Sequence, residues 1–239
     1  EGDDTLLGNG GNDTLISAQG IDFLNGGEGD DTYVISNGSG VVDAPDAVGT
    51  GITDTAGRNT LIINGAATVN AGVLNRDRGK LIFNVDGRKL VVVGGLTGTI
   101  QTINVNGQET SMQRYVAENV QQTVRIDLDR SSNNMNLWGG TQTDYLNSIG
   151  QANSVAGGRG DDIIILSGSS NTIVFNKGDG ADSVDTYAPE VPWDIQNTVV
   201  LGEGIQQADV QLAVDATGAL VISFAGVSTD RITVSRTED

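Results

Sequence analysis

EGDDTLLGNGGNDTLISAQGIDFLNGGEGDDTYVIS, residues 1–36, repeats itself every nine residues, and that period decides the fold. Asp4, Asp13, Asp22 and Asp31 stand nine apart. Two residues before each lies a glycine (Gly2, Gly11, Gly20, Gly29), and two residues after each lies an apolar or aromatic residue (Leu6, Leu15, Leu24, Tyr33). A glycine-and-aspartate period of this length, with one apolar residue per repeat, marks a calcium-loaded parallel β-helix or β-roll.

The period has a physical reading. The glycine-rich part of each repeat makes a turn, because glycine accepts positive φ and lets backbone carbonyls face inward. The remaining residues make a short strand whose middle side chain points into the stack. A column of such turns with one Asp each suits Ca²⁺, a hard cation that takes carboxylate and carbonyl oxygens. Without a cation the column stacks like charges, at roughly 1 kcal/mol per close pair even in the dielectric of water. Metal binding and folding are therefore expected to be coupled.

These residues resemble the repeats-in-toxin (RTX) family, whose pattern is GGxGxD followed by an apolar residue between two variable ones. GGEGDDTYV at 26–34 matches in full, GNGGNDTLI at 8–16 has Asn9 for the second glycine, and SAQGIDFLN at 17–25 keeps the second half. The resemblance implies that two repeats make one coil, so that alternate turns stack and share a calcium. Carried onto this chain, it stacks turn 8–13 on turn 26–31 and nominates Asp13 and Asp31 as side-chain ligands, with the carbonyls of Gly8, Gly10, Gly27 and Gly29. The opposite edge pairs Asp4 with Asp22 and is weaker, since its next turn, NGSGVV at 37–42, has Val42 in place of the Asp.

A second block spans 133–184. The register runs through Asp144, Asn153, Asp162 and Asn171, with Leu146, Val155, Ile164 and Ile173 at the apolar position. GGRGDDIII at 157–165 matches in full, GGTQTDYLN at 139–147 keeps the leading glycines and the Asp, and KGDGAD at 177–182 closes the block. Stacking alternate turns gathers Asp144, Asp162 and Asp182 on one edge, where the resemblance adds Gly140, Gly158, Gly160, Gly178 and Gly180. That edge is expected to hold two ions. The other, with Asn153 and Asn171, is short of negative charge and is expected to hold none tightly.

Each block is followed by a related flank. The stretch from Asn59 lines up with that from Asn197, and both carry alternating segments: Leu81-Phe83-Val85 against Leu220-Ile222-Phe224, then Leu90-Val92 against Ile232-Val234. Such alternation argues half-buried strands. The chain is thus one block-and-flank unit used twice: roll 1–43, flank 44–106, connector 107–132, roll 133–184 and flank 185–239. In the connector, Met112, Tyr115, Val116 and Val120 share a helical face after a Thr110 cap with Gln113 three on. VRIDLDR after it reads as a strand.

Composition sets outer bounds. Net charge is -18 with a pI near 4.1, which argues against nucleic acid and anionic membrane as direct partners unless calcium intervenes. The chain has neither histidine nor cysteine, which removes His-based acid/base chemistry, disulfides and thiolate metal sites. No apolar run approaches the roughly 18 residues of a membrane span. The sequence opens inside a repeat, so a piece of a longer protein is expected.

Other features have competing readings. The neighbouring pairs Asp3-Asp4, Asp30-Asp31 and Asp161-Asp162 invite an acid/base role, yet the metal reading uses the second of each, and no nucleophile and base constellation is visible. Arg76, Arg78, Lys80, Arg88 and Lys89, five of the 13 cations, read as the wet face of a hairpin or as a site for an acidic glycan. Trp138 and Trp193 read as sugar platforms or, for Trp138, as a lid on a thin core.

The expected chain is all-β: two short parallel β-rolls, each with a strand-rich flank and calcium along the roll edges. It is expected to be non-enzymatic. The resemblance implies a secreted or cell-surface protein exported by type I secretion machinery and folding outside on calcium, in a structural or adhesive role. The alternatives are the carrier module of an exported protease, lipase, alginate epimerase or toxin, and a glycan-binding module.

Overall fold

A computed structural model describes residues 2–17, 20–36, 51–74, 79–187, 196–202 and 204–237. Val42 and the rest of turn 37–42, Arg76, Arg78 and Trp193 lie outside the described residues. The chain divides into two units, Glu1–Val120 and Gln121–Asp239.

In unit 1, β1 (Thr5–Gly10), β2 (Thr14–Ser17), β3 (Phe23–Glu28) and β4 (Thr32–Ser36) alternate between two sheets. β1 pairs with β3 in parallel with Thr5 opposite Phe23, and β2 with β4 with Thr14 opposite Thr32. Both offsets are two nonapeptides. The inward residues Leu15, Leu24 and Tyr33 are buried, and Leu6 in the first coil is half-buried.

The sheets do not stop at 43. β5 (Ile52–Thr53) adds to β3 and β6 (Thr60–Asn64) to β4, both in parallel, making a third coil. β7 (Val69–Leu74), β8 (Lys80–Val85) and β9 (Arg88–Val92) then form an antiparallel meander, and β9 rejoins the roll beside β5 with Val92 opposite Ile52. β10 (Thr102–Val105) adds in parallel to β6 and turns back into β11 (Gln108–Ser111). Much of the flank is therefore roll. Its alternation places Leu61, Ile63 and Ile103 in the same buried column that the repeats begin.

Helix α1 (Met112–Asn119) follows. Its cap is Ser111 and not Thr110: the Ser111 hydroxyl accepts from the Arg114 N–H at 3.2 Å. Met112 and Val116 are buried, and Tyr115 packs on Phe83 of β8 with ring centroids 5.8 Å apart.

Unit 2 follows the same plan. β12 (Arg125–Leu128), β14 (Tyr145–Ser148), β16 (Ile163–Ser167) and β18 (Ala181–Tyr187) stack in parallel in one sheet. β13 (Asn136–Trp138), β15 (Ser154–Ala156), β17 (Thr172–Phe175) and β19 (Thr198–Leu201) do so in the other. β12 lies in the stretch read as connector and is the first strand of this roll, its Ile126 and Leu128 buried. β20 (Val210–Val214), β21 (Leu220–Phe224) and β22 (Val227–Thr237) make the meander, and β22 rejoins the roll beside β18. Leu146, Val155, Ile164 and Ile173 are buried, as is Trp138, which leaves no indole face for a sugar. Among the described residues, no helix is long and apolar enough to cross a membrane.

Candidate metal centre

The repeat aspartates form ladders along the roll edges. The Asp13 N–H donates to Asp31 Oδ1 at 2.8 Å, and the Asp31 N–H donates to Asn59 Oδ1 at 2.8 Å. In unit 2, Asp144 N–H donates to Asp162 Oδ1 at 2.8 Å, and Asp162 N–H to Asp182 Oδ1 at 3.1 Å. On the opposite edges Asp4 N–H donates to Asp22 Oδ1 at 3.0 Å, and Asn153 N–H to Asn171 Oδ1 at 3.0 Å. Each ladder residue beyond the first coil of unit 1 thus spends one side-chain oxygen on the backbone of the preceding coil. Asp and Asn serve this purpose equally.

What separates the edges is the kind of second side-chain atom: the Asp13 and Asp162 edges leave carboxylate oxygens unpartnered, whereas on the Asn edge of unit 2 the unpartnered atoms are the Nδ2 donors of Asn171 and Asn197, which a cation cannot serve. Oδ2 of Asp13, Asp31 and Asp162 is buried and has no hydrogen-bond partner. A buried carboxylate oxygen left alone is costly and needs a cation or a proton. Asp22 Oδ2 instead accepts from the Ser17 hydroxyl at 2.7 Å. Asn153 Nδ2 donates to the Ser148 hydroxyl at 2.7 Å and to the Ser132 carbonyl at 2.8 Å.

The first residue of each turn explains the difference. On the Asp13 edge it is glycine, and a Cβ on Gly8 would lie 2.6 Å from Asp13 Oδ2 and 2.5 Å from the carbonyl oxygen of Gly26 in the next turn. Gly139 faces the same pair, Asp144 Oδ2 and the Gly157 carbonyl, while Cβ atoms at Gly26 and Gly157 would strike Asp31 and Asp162. A carboxylate oxygen and a carbonyl from adjacent turns therefore meet at one bare Cα. Ser17 and Ser148 occupy that position on the opposite edges and fill it with a hydroxyl. The carbonyls of Gly26 and Gly157 escaped the sequence reading, which named their neighbours; the spacing locates the turn but not the rotation of each peptide.

Among the nominated glycines, Gly29 and Gly160 have φ of +121° and +129°, and each lies against the backbone of the turn below, where any side chain would collide. The carbonyl of Gly27 accepts from Thr55 Oγ1 at 2.7 Å and Ala56 N at 3.2 Å, that of Gly140 from Arg159 N at 2.8 Å, and that of Gly180 from Arg231 N at 2.9 Å. Gly158 stacks on Gly140, and Gly10 makes no close approach. Gly178 donates its N–H to Asp230 Oδ2 at 2.6 Å. Among the described residues no three carboxylates converge, so a cation on these edges would combine Asp oxygens with carbonyls. The orphaned oxygens of Asp13, Asp31 and Asp162 fit such an ion.

The electrostatics agree in unit 2. Burial raises the carboxyls of Asp144, Asp162 and Asp182 to about 6, about 7 and about 8, with the neighbouring carboxylate adding to the rise at the last two. Asp179, in the turn 177–182, is likewise raised to about 6 by burial. It accepts from the Asn176 N–H at 2.7 Å, and Asp230 lies buried nearby in the next coil. Neither was legible as part of this edge, since both stand outside the sixth position of a repeat.

A further turn was also missed. Asp54-Thr55-Ala56-Gly57-Arg58-Asn59 stacks on turn 26–31, with Asn59 in the ladder. It stands 28 residues on, so the nine-residue register is lost; Gly57 and Asn59 before TLII were the available signal. Here Asp54 occupies the first position. Its carboxylate accepts from the Tyr33 hydroxyl, which itself accepts from the Gly26 N–H at 2.8 Å. Burial and then Asp54 hold that phenol protonated.

The first members of the carboxylate pairs make exposed rungs: Asp3, Asp30 and Asp161 accept from the N–H of Ile21, Arg58 and Ala181 in the following coils. Arg88 and Lys89 are exposed on β9, and Lys80 is half-buried on β8.

The profile described as RTX calcium-binding nonapeptide repeat (4 copies) matches residues 1–33 and 149–182. No curated protein matches. Among solved structures, the chain is similar to the extracellular lipase LipA from Serratia marcescens at 18% identity, covering 98% of this chain and 36% of that one, with a TM-score of 0.29. The chain thus spans about a third of that protein's length, and a likeness of this size decides nothing about function.

Proposed function

We propose, from the premise that residues 1–33 and 149–182 are RTX calcium-binding nonapeptide repeats, that this chain is a structural segment of a secreted or cell-surface protein whose folding is switched by calcium after type I export. One observation carries the reading: the buried, unpartnered Oδ2 atoms of Asp13, Asp31 and Asp162 on the glycine-fronted edges. Asp144, Asp182 and the carbonyls of Gly26 and Gly157 join them as ligands. Bound calcium supplies the positive charge that these edges lack. The residues do the rest: glycine at the first position leaves room beside the carboxylate oxygen, the Oδ1 ladder sets the coil spacing, and Leu15, Leu24, Leu146 and Ile164 bury once the coils close. Extracellular calcium modules bind at about 10⁻⁴–10⁻³ M, so external calcium would fold the chain and low cytosolic calcium would leave it open for export.

Nothing in this reading asks for catalysis, and an adhesive role would belong to the surfaces rather than the edges. The test is far-UV circular dichroism in chelator followed by a calcium titration with a magnesium control. Cooperative gain of β signal with calcium and not with magnesium is the expected result. A chain already folded in chelator and indifferent to calcium would defeat the switch.

A further inference from the structure

The two units offer an internal comparison. In unit 1 the meander faces α1. The pairs Val69–Val85, Ala71–Phe83 and Val73–Leu81 stand opposite one another across β7 and β8, and Tyr115 of α1 packs on Phe83. Leu81 is 0% exposed, and Met112 and Val116 are buried. The strand β10, which leads into this helix, covers the outer side of β6.

Unit 2 repeats the meander in the same register: Val210–Phe224, Leu212–Ile222 and Val214–Leu220. Its inner end is buried through Phe224, stacked on Phe175 at 5.4 Å. Its outer end is not. Leu212 is 68% exposed, Val214 70% and Leu220 39%, where the matching Leu81 is fully covered. β19, the counterpart of β6, ends its sheet among the described residues, and Val200 on it is 43% exposed. One face and one strand edge thus lie open in unit 2. In unit 1 the same two features are covered by one continuous segment, residues 101–120.

We propose that the β19 edge and the outer end of the apolar face of β20 and β21 are a docking surface for a segment of the chemistry of residues 101–120: a short strand that adds in parallel to β19, then an amphipathic helix with Met, Tyr and Val at the spacing of Met112, Tyr115 and Val116. The strand is held by main-chain hydrogen bonds, as β10 is held on β6. The helix removes Leu212, Val214 and Leu220 from water. An exposed apolar edge of this kind is otherwise a site of aggregation. This surface needs no metal, so it stands or falls apart from the calcium reading.

The test uses the full chain in calcium, extended after residue 239 by a second copy of residues 93–120, with hydrogen exchange read at 198–201 and 210–224. The expected result is exchange in both segments slowed by about tenfold or more, the free-energy equivalent of about 1.4 kcal/mol. The same extension carrying lysine at its copies of Met112 and Val116 should lose the protection over 210–224, while leaving the parent fold intact. Unchanged exchange, or equal protection from both extensions, overturns the proposal. So does concentration-dependent association of the unextended chain that Leu212→Lys abolishes, since the occupant would then be a second copy.

Discussion

At the first position of each turn, a single atom decides whether an edge asks for a cation. Glycine puts no side-chain donor on the Asp Oδ2, which stays unpartnered at Asp13, Asp31 and Asp162 and at Asp144 accepts from the Gly140 N–H at 2.5 Å; serine meets it with a hydroxyl, as Ser17 does for Asp22 at 2.7 Å. The sixth position makes a matching choice, because Asn keeps the ladder acceptor but replaces Oδ2 with a donor. Asp162→Asn should therefore keep the bond from the Asp144 N–H and lose the ion: the calcium midpoint of unit 2 rises by about tenfold or more, with the fold retained at high calcium. Isothermal titration beside circular dichroism measures both. A midpoint unchanged by this substitution would remove Asp162 from the ligand set. Protons are the other way to quiet these oxygens. The carboxyls of Asp162 and Asp182 ionise near 3.8 when unfolded but hold protons to about 7 and about 8 in the metal-free fold, chiefly through burial. Between those limits the fold binds more protons than the unfolded chain, so its stability is greatest below the lower limit and falls as pH rises through the upper. In chelator, unit 2 should show more β signal near about pH 5 than near about pH 8.5, since protons then stand in for the cation, and calcium binding near neutrality should release protons. A β signal in chelator that is flat across that range would contradict it.

Among the elements, α1 carries the clearest energetic weight. It closes the unit 1 meander with Met112 and Val116 buried and Tyr115 on Phe83. Met112→Ala should cost unit 1 about 2–5 kcal/mol, as buried truncations of this size do, while leaving the calcium response of unit 2 in place. Chemical denaturation in saturating calcium, followed by hydrogen exchange, assigns the loss; a change under about 0.5 kcal/mol would mean that the helix only rests on the surface. This helix also shows how far a sequence can be read. Its apolar face was visible from spacing, but its cap was not, because Thr110 and Ser111 have the same chemistry and only the backbone at Ser111, φ -68° and ψ 146°, selects between them. The rolls were legible for a stronger reason: glycine, aspartate and an inward apolar residue are separate physical demands that recur together. Where an insertion shifts the count, as before Asp54 and Asn59, the demands persist but the register that exposes them does not. In the flanks the alternation located the strands, at Leu81-Phe83-Val85 and Leu220-Ile222-Phe224 among others, but not their pairing. Alternation at Leu61-Ile63 reads the same for a parallel coil as for a hairpin, so nothing local distinguishes β6 from β8, and only pairing over long range places β9 and β22 back on their rolls.

Over the whole chain, the same plan is built twice, with a ladder and a buried column in each unit. Net charge of -18 weighs on both, since every coil that closes brings carboxylates together before any is paired. In a stack of coils, each contacting only its neighbours, removing one ligand weakens the coils beside it most. Asp31→Asn and Asp162→Asn act on ladders that share no partner: Asp31 meets Asp13 and Asn59, whereas Asp162 meets Asp144 and Asp182. Their effects should therefore add, within about 0.5 kcal/mol, which is the usual limit for independent sites. In calcium-dependent hydrogen exchange, Asp31→Asn should shift the midpoint for β2, β4 and β6 while β14 and β16 keep theirs, and Asp162→Asn should do the reverse. The double substitution then moves both midpoints by the single-variant amounts. If either change moved every strand together, calcium would be folding the chain as one cooperative body, and the duplicated plan would be a single switch rather than two.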